Sequence, residues 1–529
     1  MSIVRSDAVF QLDVERIATT PTVLAAVASA KPDHPFIVAD DGDLSYRQTA
    51  QLSAAIAASL TSRGLVPGER VGILLPNGSR WCAALLGAHA AGLCVVPLNT
   101  WYRRDELASV ARRARLRTIV TQAEIFGHDT AAAVDDLDID GYLGPILWPV
   151  GNQLPEFAPQ SGWQDALSTL RCSPARPEAD ALVLFTSGSS AAPKAVRLTQ
   201  GSLIRNAHAI GERQGIRADD RFWFASPLFF VFGCANALPN ALTHAATLCV
   251  QERFEPSAAL KFIERQRCSV YYGVAPVTRA LAACPELADR DISALRTGTA
   301  NATPEDLRIA IDELGVAEVC NAYGMTEGYG HTAMTAHTDP KEVRIYSQGT
   351  ALPTQEVRIV TAGAPAAAGT PGDIQIRGTV TPGYLDGPCD SLAADGWFTT
   401  GDIGMIDSEG RLHYLGRGDE MMKVQGINIS PLEVESLLVQ HDSVDEAFVF
   451  GLPTPEGDQQ VGCVLVSTVD SHQQEPLALD VAAWLRNRAA AYKVPSNIRV
   501  VSATELPLTP TGKVSKRLLK EQTQALLQG

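Results

Sequence analysis

The chain has 529 residues, a globular composition with 46% hydrophobic and 19% charged residues, and a formal net charge of -15. That length exceeds what one hydrophobic core supports, so at least two domains are expected, and the acidic balance excludes a general nucleic-acid surface, which needs clustered Lys and Arg. The 10 cysteines are scattered without a CxxC or a metal-like Cys/His spacing, the usage of reduced thiols in a cytoplasmic protein without structural zinc.

The opening stretch MSIVRSDAVFQLDVER carries charges where a secretion signal needs an apolar core, so no leader is expected. Residues 20–107 alternate helix-like and strand-like apolar patterns, including a strand over Arg70 to Leu75 and a Pro76-Asn77-Gly78 turn, which is the rhythm of a parallel α/β sheet. Trp81 to Leu98 holds no charged residue, but Gly92, Pro97 and its high Ala and Gly content favour a buried helix and a core strand over Leu93 to Val96 rather than a membrane span. From Asp135 to Ala179 the chain is rich in Pro, Gly, Gln and Asp and predicts a long irregular approach to the next motif.

That motif is LVLFTSGSSAAPKAVRLTQ, Leu182 to Gln200. Leu182 to Phe185 predicts a short buried strand. Thr186, Ser187, Gly188, Ser189 and Ser190 follow at once, four hydroxyls around a glycine that lets main-chain N–H groups converge on an anion. Pro193 stiffens the exit and Lys194 supplies a point charge for phosphate oxygens. The stretch suits a solvated serine-rich turn equally well, and its spacing is not that of a Walker loop.

Gly201 to Gly211 then predicts a helix, and Arg221 to Gly233, RFWFASPLFFVFG, an aromatic strand and turn. Ser269 to Leu281 predicts a strand and a helix entered through Pro276. Leu295 to Asn301 and Asn321 to Gly330, NAYGMTEGYG, read as strand ends opening into glycine-bearing turns, the crevices where α/β sheets bind ligands. Gly372 to Leu385 alternates as antiparallel strands do. Arg417-Gly418-Asp419-Glu420 is a polar break, after which a strand, a helix started by Ser430-Pro431 and another strand predict a small α+β module. The chain closes on LPLTPTGKVSKRLLK, with Lys513 directly after Gly512.

The serine-rich loop, YGMTE, the Asp402 segment, the polar break and the Gly512-Lys513 pair follow one another in a single order. In that order the chain resembles the acyl-adenylate-forming enzymes, the superfamily of acyl-CoA synthetases, adenylation domains and luciferases. The resemblance implies an α/β fold: a large N-terminal adenylation domain of α/β subdomains plus a small β-rich subdomain over residues 1–417, and a small mobile α+β domain over residues 418–529, hinged near Asp419. It implies that Thr186, Ser187, Gly188, Ser189, Ser190 and Lys194 hold the phosphates of ATP. Tyr323 would lie against adenine beside Asn321, Gly324 and the small-residue turn Gly298, Thr299 and Ala300. Thr326 would meet the α-phosphate, Glu327 would help hold Mg²⁺, Asp402 would grip the ribose hydroxyls, and Arg417 would contact the nucleotide near them. Each role suits its group: a π face for a base, a carboxylate for a hard cation or a vicinal diol.

Lys513 would swing into the site and bridge the substrate carboxylate and the α-phosphate, lowering the repulsion of two anions. Gly426 would line the thiol's entry. Phe230, Val231, Val274, Gly298, Tyr329 and His331 would line the acyl pocket. Val231, where amino-acid-activating relatives commonly carry aspartate, argues against an α-amino acid. His331 and His337 have no ligand spacing of their own. The chain departs from the family pattern at Ala191 and Ala195, normally glycine, at Gln200, often histidine, and at Phe230. Alanine is costly at a loop position that needs positive φ.

The activity so implied joins a carboxylic acid to ATP, giving acyl-AMP and pyrophosphate, and then passes the acyl group to the thiol of coenzyme A, favoured because the chain carries no fused carrier domain. The alternatives are a stand-alone adenylation enzyme loading the phosphopantetheine of a carrier protein, an amine acceptor, and an unusual acid such as nitrite. A non-catalytic nucleotide- or acyl-binding member is the reading from a different class. A monomer or homodimer is expected.

Overall fold

The computed structural model describes residues 5–6, 9–10, 12–14, 19–135, 137–148, 162–186, 193–301, 303–418, 420–424, 427–454, 459–468, 473–489, 491–508 and 514–528. By compactness the chain divides into two units, Met1–Ala302 with Asp306–Val357 and Ile376–Phe398, and Thr303–Glu305 with Arg358–Gln375 and Thr399–Gly529. The fold is mixed α/β, with a small C-terminal α+β module.

The first unit is built on two parallel sheets. One orders its six strands Pro145–Leu147, Thr118–Thr121, Arg70–Leu74, Cys94–Pro97, Asp180–Thr186 and Lys194–Thr199, all parallel except the last. The other runs Glu318–Cys320, Thr297–Asn301, Val270–Val274, Arg221–Phe224, Thr247–Val250 and Pro35–Ala39 in parallel, with Leu44–Ser45 antiparallel at its edge. Phe222, Trp223 and Phe224 are consecutive and all buried. That is how a central strand covered on both faces must read, and it explains the unbroken apolar run. The charge-free stretch resolves into the helix Ser79–Ala90 and the strand Cys94–Pro97, buried nearly throughout. Trp81 and Trp223 are fully buried, each worth about 4–6 kcal/mol of apolar burial.

Three expectations change. The approach to the serine-rich loop is not wholly irregular, because it contains the helix Trp163–Arg171, whose Ala166, Leu167 and Leu170 are buried. The aromatic stretch after Phe224 is not a simple turn: a π-helix over Phe232–Ala237 runs into the α-helix Leu238–Thr243, and such widened turns recur at functional sites. Ala195 is not a loop residue needing positive φ. It lies in the strand Lys194–Thr199 opposite Phe185 and is buried, so no backbone penalty arises there. Ala191 lies outside the described residues.

In the second unit, Phe398–Ile406 pairs antiparallel with Leu412–Arg417. Beyond them a short hairpin, Met422–Val424 with Ile427–Ile429, leads into the helix Pro431–Leu438. Ser430 caps that helix, its Oγ accepting from the Glu433 N–H at 3.3 Å, as the Ser-Pro start predicts. Three strands, Glu446–Pro453, Gln459–Val466 and Asn497–Val501, and the helix Gln474–Arg486 close a core that includes Val434, Leu438, Val449, Cys463, Val481 and Leu485. Among the described residues no helix is long and apolar enough to cross a membrane.

Candidate active site

The serine-rich stretch lies between two paired strands. Asp180–Thr186 enters it and Lys194–Thr199 leaves it antiparallel, with Thr186 opposite Lys194. Strand pairing therefore fixes both ends of the loop, while Ser187, Gly188, Ser189 and Ser190 lie outside the described residues. Gln200, just past the hairpin, is buried, and its Oε1 accepts from the N–H and the hydroxyl of Thr20 at 3.1 and 2.8 Å. That side chain fastens the start of the helix Thr20–Ala30 to the start of Gln200–Gln214, so it serves packing.

The YGMTE turn lies in the same unit. Tyr323 is buried in a two-residue strand opposite Ala333, and Thr326 begins a 3₁₀ turn over Thr326–Gly328. Glu327 is 6% exposed, and its carboxylate accepts a hydrogen bond from the Tyr384 hydroxyl at 3.0 Å. The Lys194 ammonium stands 3.5 Å from that hydroxyl and 5.2 Å from the ring's centre. Lys194, Tyr384 and Glu327 thus form a series of cation, phenol and carboxylate. Burial, with the Glu327 charge next, pushes the Tyr384 phenol well above its ordinary range, so it stays protonated and donates.

Tyr384 is the residue the sequence reading missed. It closes the GDIQIRGTVTPGYL stretch, and only its register makes it part of the site. Leu385 N–H donates to Ala195 O at 2.9 Å, Arg197 N–H to Gly383 O at 3.2 Å, and Thr381 N–H to Glu327 O at 2.7 Å. The segment is stitched to the hairpin and to the YGMTE turn at once.

Gly298, Thr299 and Ala300 lie buried in the strand Thr297–Asn301. Gly298 has φ +136°, and a Cβ there would stand 1.9 Å from Tyr271 O, so only glycine fits. The Thr299 Oγ1 and the His331 Nε2 are buried without a hydrogen-bond partner. Burial holds His331 neutral, its pKa lowered to about 4. The His331 ring is 6.2 Å from Phe232. Phe230 is half-buried, 4.6 Å from the Phe229 ring and 6.1 Å from that of Trp101, an aromatic neighbour that sequence spacing did not reveal. Val231 and Val274 are half-buried against the main core.

Two residues are placed otherwise than expected. Tyr329 is fully buried, and its hydroxyl accepts from the Thr199 N–H at 2.8 Å, so it braces the hairpin's exit instead of presenting an open pocket wall. Its φ of 61° is held by Asn236 and Asn206, whose Nδ2 groups donate to Tyr329 O at 2.8 and 3.3 Å. Asn321 spends its side chain on Ser347 O and on the Ala322 N–H, both 2.9 Å away. Gly324 is exposed on the same turn. His337 stands 3.3 Å from Glu318.

In the second unit, Asp402 is 4% exposed and its Oδ1 accepts from Arg417 Nη1 at 2.7 Å across the strand pair, where the two residues are direct partners. A carboxylate offers the acceptor oxygens that a vicinal diol requires. Lys513, Asp419 and Gly426 lie outside the described residues. On either side of Lys513, Leu508 and Val514 pair as an antiparallel bridge, and Lys516 is tied to the largely buried Glu435 at 2.8 Å. Burial raises the Glu435 carboxyl above its usual range against the pull of Lys516.

Lys194 and the buried Glu327 flank the Tyr384 hydroxyl within the α/β unit, which a small α+β module follows in the chain. The model of the AMP-binding enzyme family matches residues 24–385, and that of the AMP-binding enzyme C-terminal domain matches residues 433–513. The chain belongs to the AMP-binding enzyme family, and it is an AMP-forming ligase. It is 31% identical over 520 residues to the 3-[(3aS,4S,7aS)-7a-methyl-1,5-dioxo-octahydro-1H-inden-4-yl]propanoyl:CoA ligase of Mycobacterium tuberculosis, covering 96% of this chain and 99% of that protein. Its fold is similar to that of the anthranilate CoA ligase AuaEII in complex with anthranoyl-AMP, with a TM-score of 0.85 over 98% of this chain and all of the other at 23% identity. It is also similar to the amide bond synthetase McbA from Marinactinospora thermotolerans, with a TM-score of 0.81, 24% identity and 95% and 99% of the two chains covered.

Proposed function

We propose that this protein activates an uncharged, ring-bearing carboxylic acid with ATP and transfers the acyl group to coenzyme A. The observation that carries the reading is the hydrogen-bonded series Lys194, Tyr384 and Glu327 at the foot of the hydroxyl-rich hairpin, in a chain of this family. A lysine for phosphate oxygens and a buried carboxylate for a hard cation are then held in one frame, as in-line attack on an α-phosphate requires. Glu327 would hold Mg²⁺, which when bound would neutralise phosphate charge.

In this reading Thr186 and the hydroxyls after it cradle the phosphates, Tyr323 and the Gly298-Thr299-Ala300 turn flank the base, and Asp402 with Arg417 holds the ribose. Lys513 brings the second cation to the carboxylate as it attacks phosphorus, expelling pyrophosphate. The small domain then turns about Asp419, and Gly426 lines the path by which the thiol displaces AMP from the acyl carbonyl. The ring-bearing acid is supported by the aromatic group Trp101, Phe229 and Phe230, by Val231 in place of a carboxylate, and by the relative that acts on a bicyclic propanoate.

ATP–pyrophosphate exchange across aryl, alicyclic and aliphatic acids, followed by the mass of the product with coenzyme A added, tests the proposal. Exchange with a ring acid and a coenzyme A thioester are expected. Exchange with no acid would overturn the activation step, and an acyl-AMP consumed by an amine but not by coenzyme A would replace the acceptor. Lys513→Ala should slow exchange by about 100-fold or more. Full-speed exchange in that variant would remove the lysine from the chemistry.

A further inference from the structure

His208 and Glu212 sit one turn apart on the helix Gln200–Gln214, and His244 follows the short helix Leu238–Thr243. One ligand atom from each lies within 4.8 Å of the others. From this arrangement we propose a second cation site, a His-His-Glu centre for a divalent transition metal such as Zn²⁺, separate from the nucleotide's magnesium.

The argument starts from where the imidazole protons go. His244 is 4% exposed and its Nδ1 stands 3.0 Å from Asn240 O. The Thr243 hydroxyl also lies 3.1 Å from that Nδ1, but it donates to Asn240 O at 3.0 Å; a carbonyl can only accept, so with Nδ1 carrying the hydrogen the Nε2 lone pair of the neutral ring is left bare. That Nε2 is buried without a hydrogen-bond partner, and the nearest charged atom is Glu212 Oε1 at 3.4 Å. A lone pair and a carboxylate oxygen facing each other repel unless a proton or a metal ion lies between them. The His208 Nδ1 is also buried without a partner, and its ring stacks on His244 with centroids 5.0 Å apart and planes 18° from parallel. Two stacked imidazolium ions would repel, whereas two neutral rings can share one metal.

Two imidazoles and one carboxylate are a donor set that suits zinc with an open fourth position. The Nδ1–H to carbonyl bond of His244 is the outer-shell contact that orients metal-binding histidines. Gly211 completes the arrangement, since a Cβ there would come 2.1 Å from His244 Cε1. Glu212 is exposed, which leaves the site an entrance from solvent. The sequence hides all this because the third ligand is remote from the His208–Glu212 pair.

The test uses the full-length protein, stripped with chelator and carrying Cys172→Ser, because Cys172 is an exposed free thiol. Titration with Co²⁺ in the absence of nucleotide should give one saturable equivalent with visible d–d bands and no thiolate charge-transfer band. Zn²⁺ should displace it and raise the unfolding temperature. His208→Gln and Glu212→Gln avoid the buried His244 and should leave the metal-free unfolding temperature unchanged. They should weaken binding by at least the about 10–100-fold that loss of an outer-shell partner costs. No saturable cobalt binding, or equal binding by both variants, would overturn the proposal.

Discussion

At the scale of single residues, the site depends on groups that restrain one another. The Tyr384 hydroxyl donates to the buried Glu327 while Lys194 stands beside it, so the phenol helps to orient that carboxylate. Hydrogen bonds to charged groups are worth about 1.5–3 kcal/mol. Tyr384→Phe should therefore slow pyrophosphate exchange by about 10–100-fold and raise the Mg²⁺ concentration needed for half-maximal rate. Exchange measured across a magnesium series checks this, and an unchanged curve would show that Tyr384 only packs. Gly298, by contrast, is fixed by its positive φ and by space, because Tyr271 O occupies the position of any Cβ.

At the scale of elements, the hairpin and its helices account for two departures from the family's usual pattern, Ala195 and Gln200. Ala195 is a strand residue, so a side chain there costs nothing in φ. Gln200 fastens two helix starts, which a residue named only by its place in a phosphate loop would not suggest. Gln200→Ala would leave the Thr20 N–H and hydroxyl buried without their partner and should cost about 2 kcal/mol of stability. Urea unfolding should show a lower midpoint at unchanged slope. A midpoint equal to the parent's would mean that water replaces the amide.

At the scale of the whole molecule, stability should fall in mild acid. His89 and His331 are buried neutral, each with a pKa lowered by burial from the ordinary 6.5 to about 4. The unfolded chain binds these protons first as pH falls, so the stability they confer is fully present above about 6.5 and is lost through about 4. Each contributes up to about 1.4 kcal/mol per pH unit within that window. Urea unfolding at pH 7, 6 and 5 should trace the loss, and His89→Gln should make it shallower. A stability that is flat from pH 7 to 5 would contradict the buried neutral state.

The order of motifs from Thr186 to Lys513, the alternation of strand and helix, and the Ser430-Pro431 start are local properties. Dihedral preference, apolar periodicity and chemical type express them residue by residue, so the family and the fold class could be read directly. Composition misled where Pro and Gly around residues 149–161 hid the amphipathic helix Trp163–Arg171. Tyr384 against Glu327, Trp101 beside Phe230, Gln200 on Thr20, and His244 across from His208 and Glu212 depend on contacts between residues far apart in the chain. Such contacts follow from strand register and helix packing, which no local preference encodes, so only the tertiary structure could decide them.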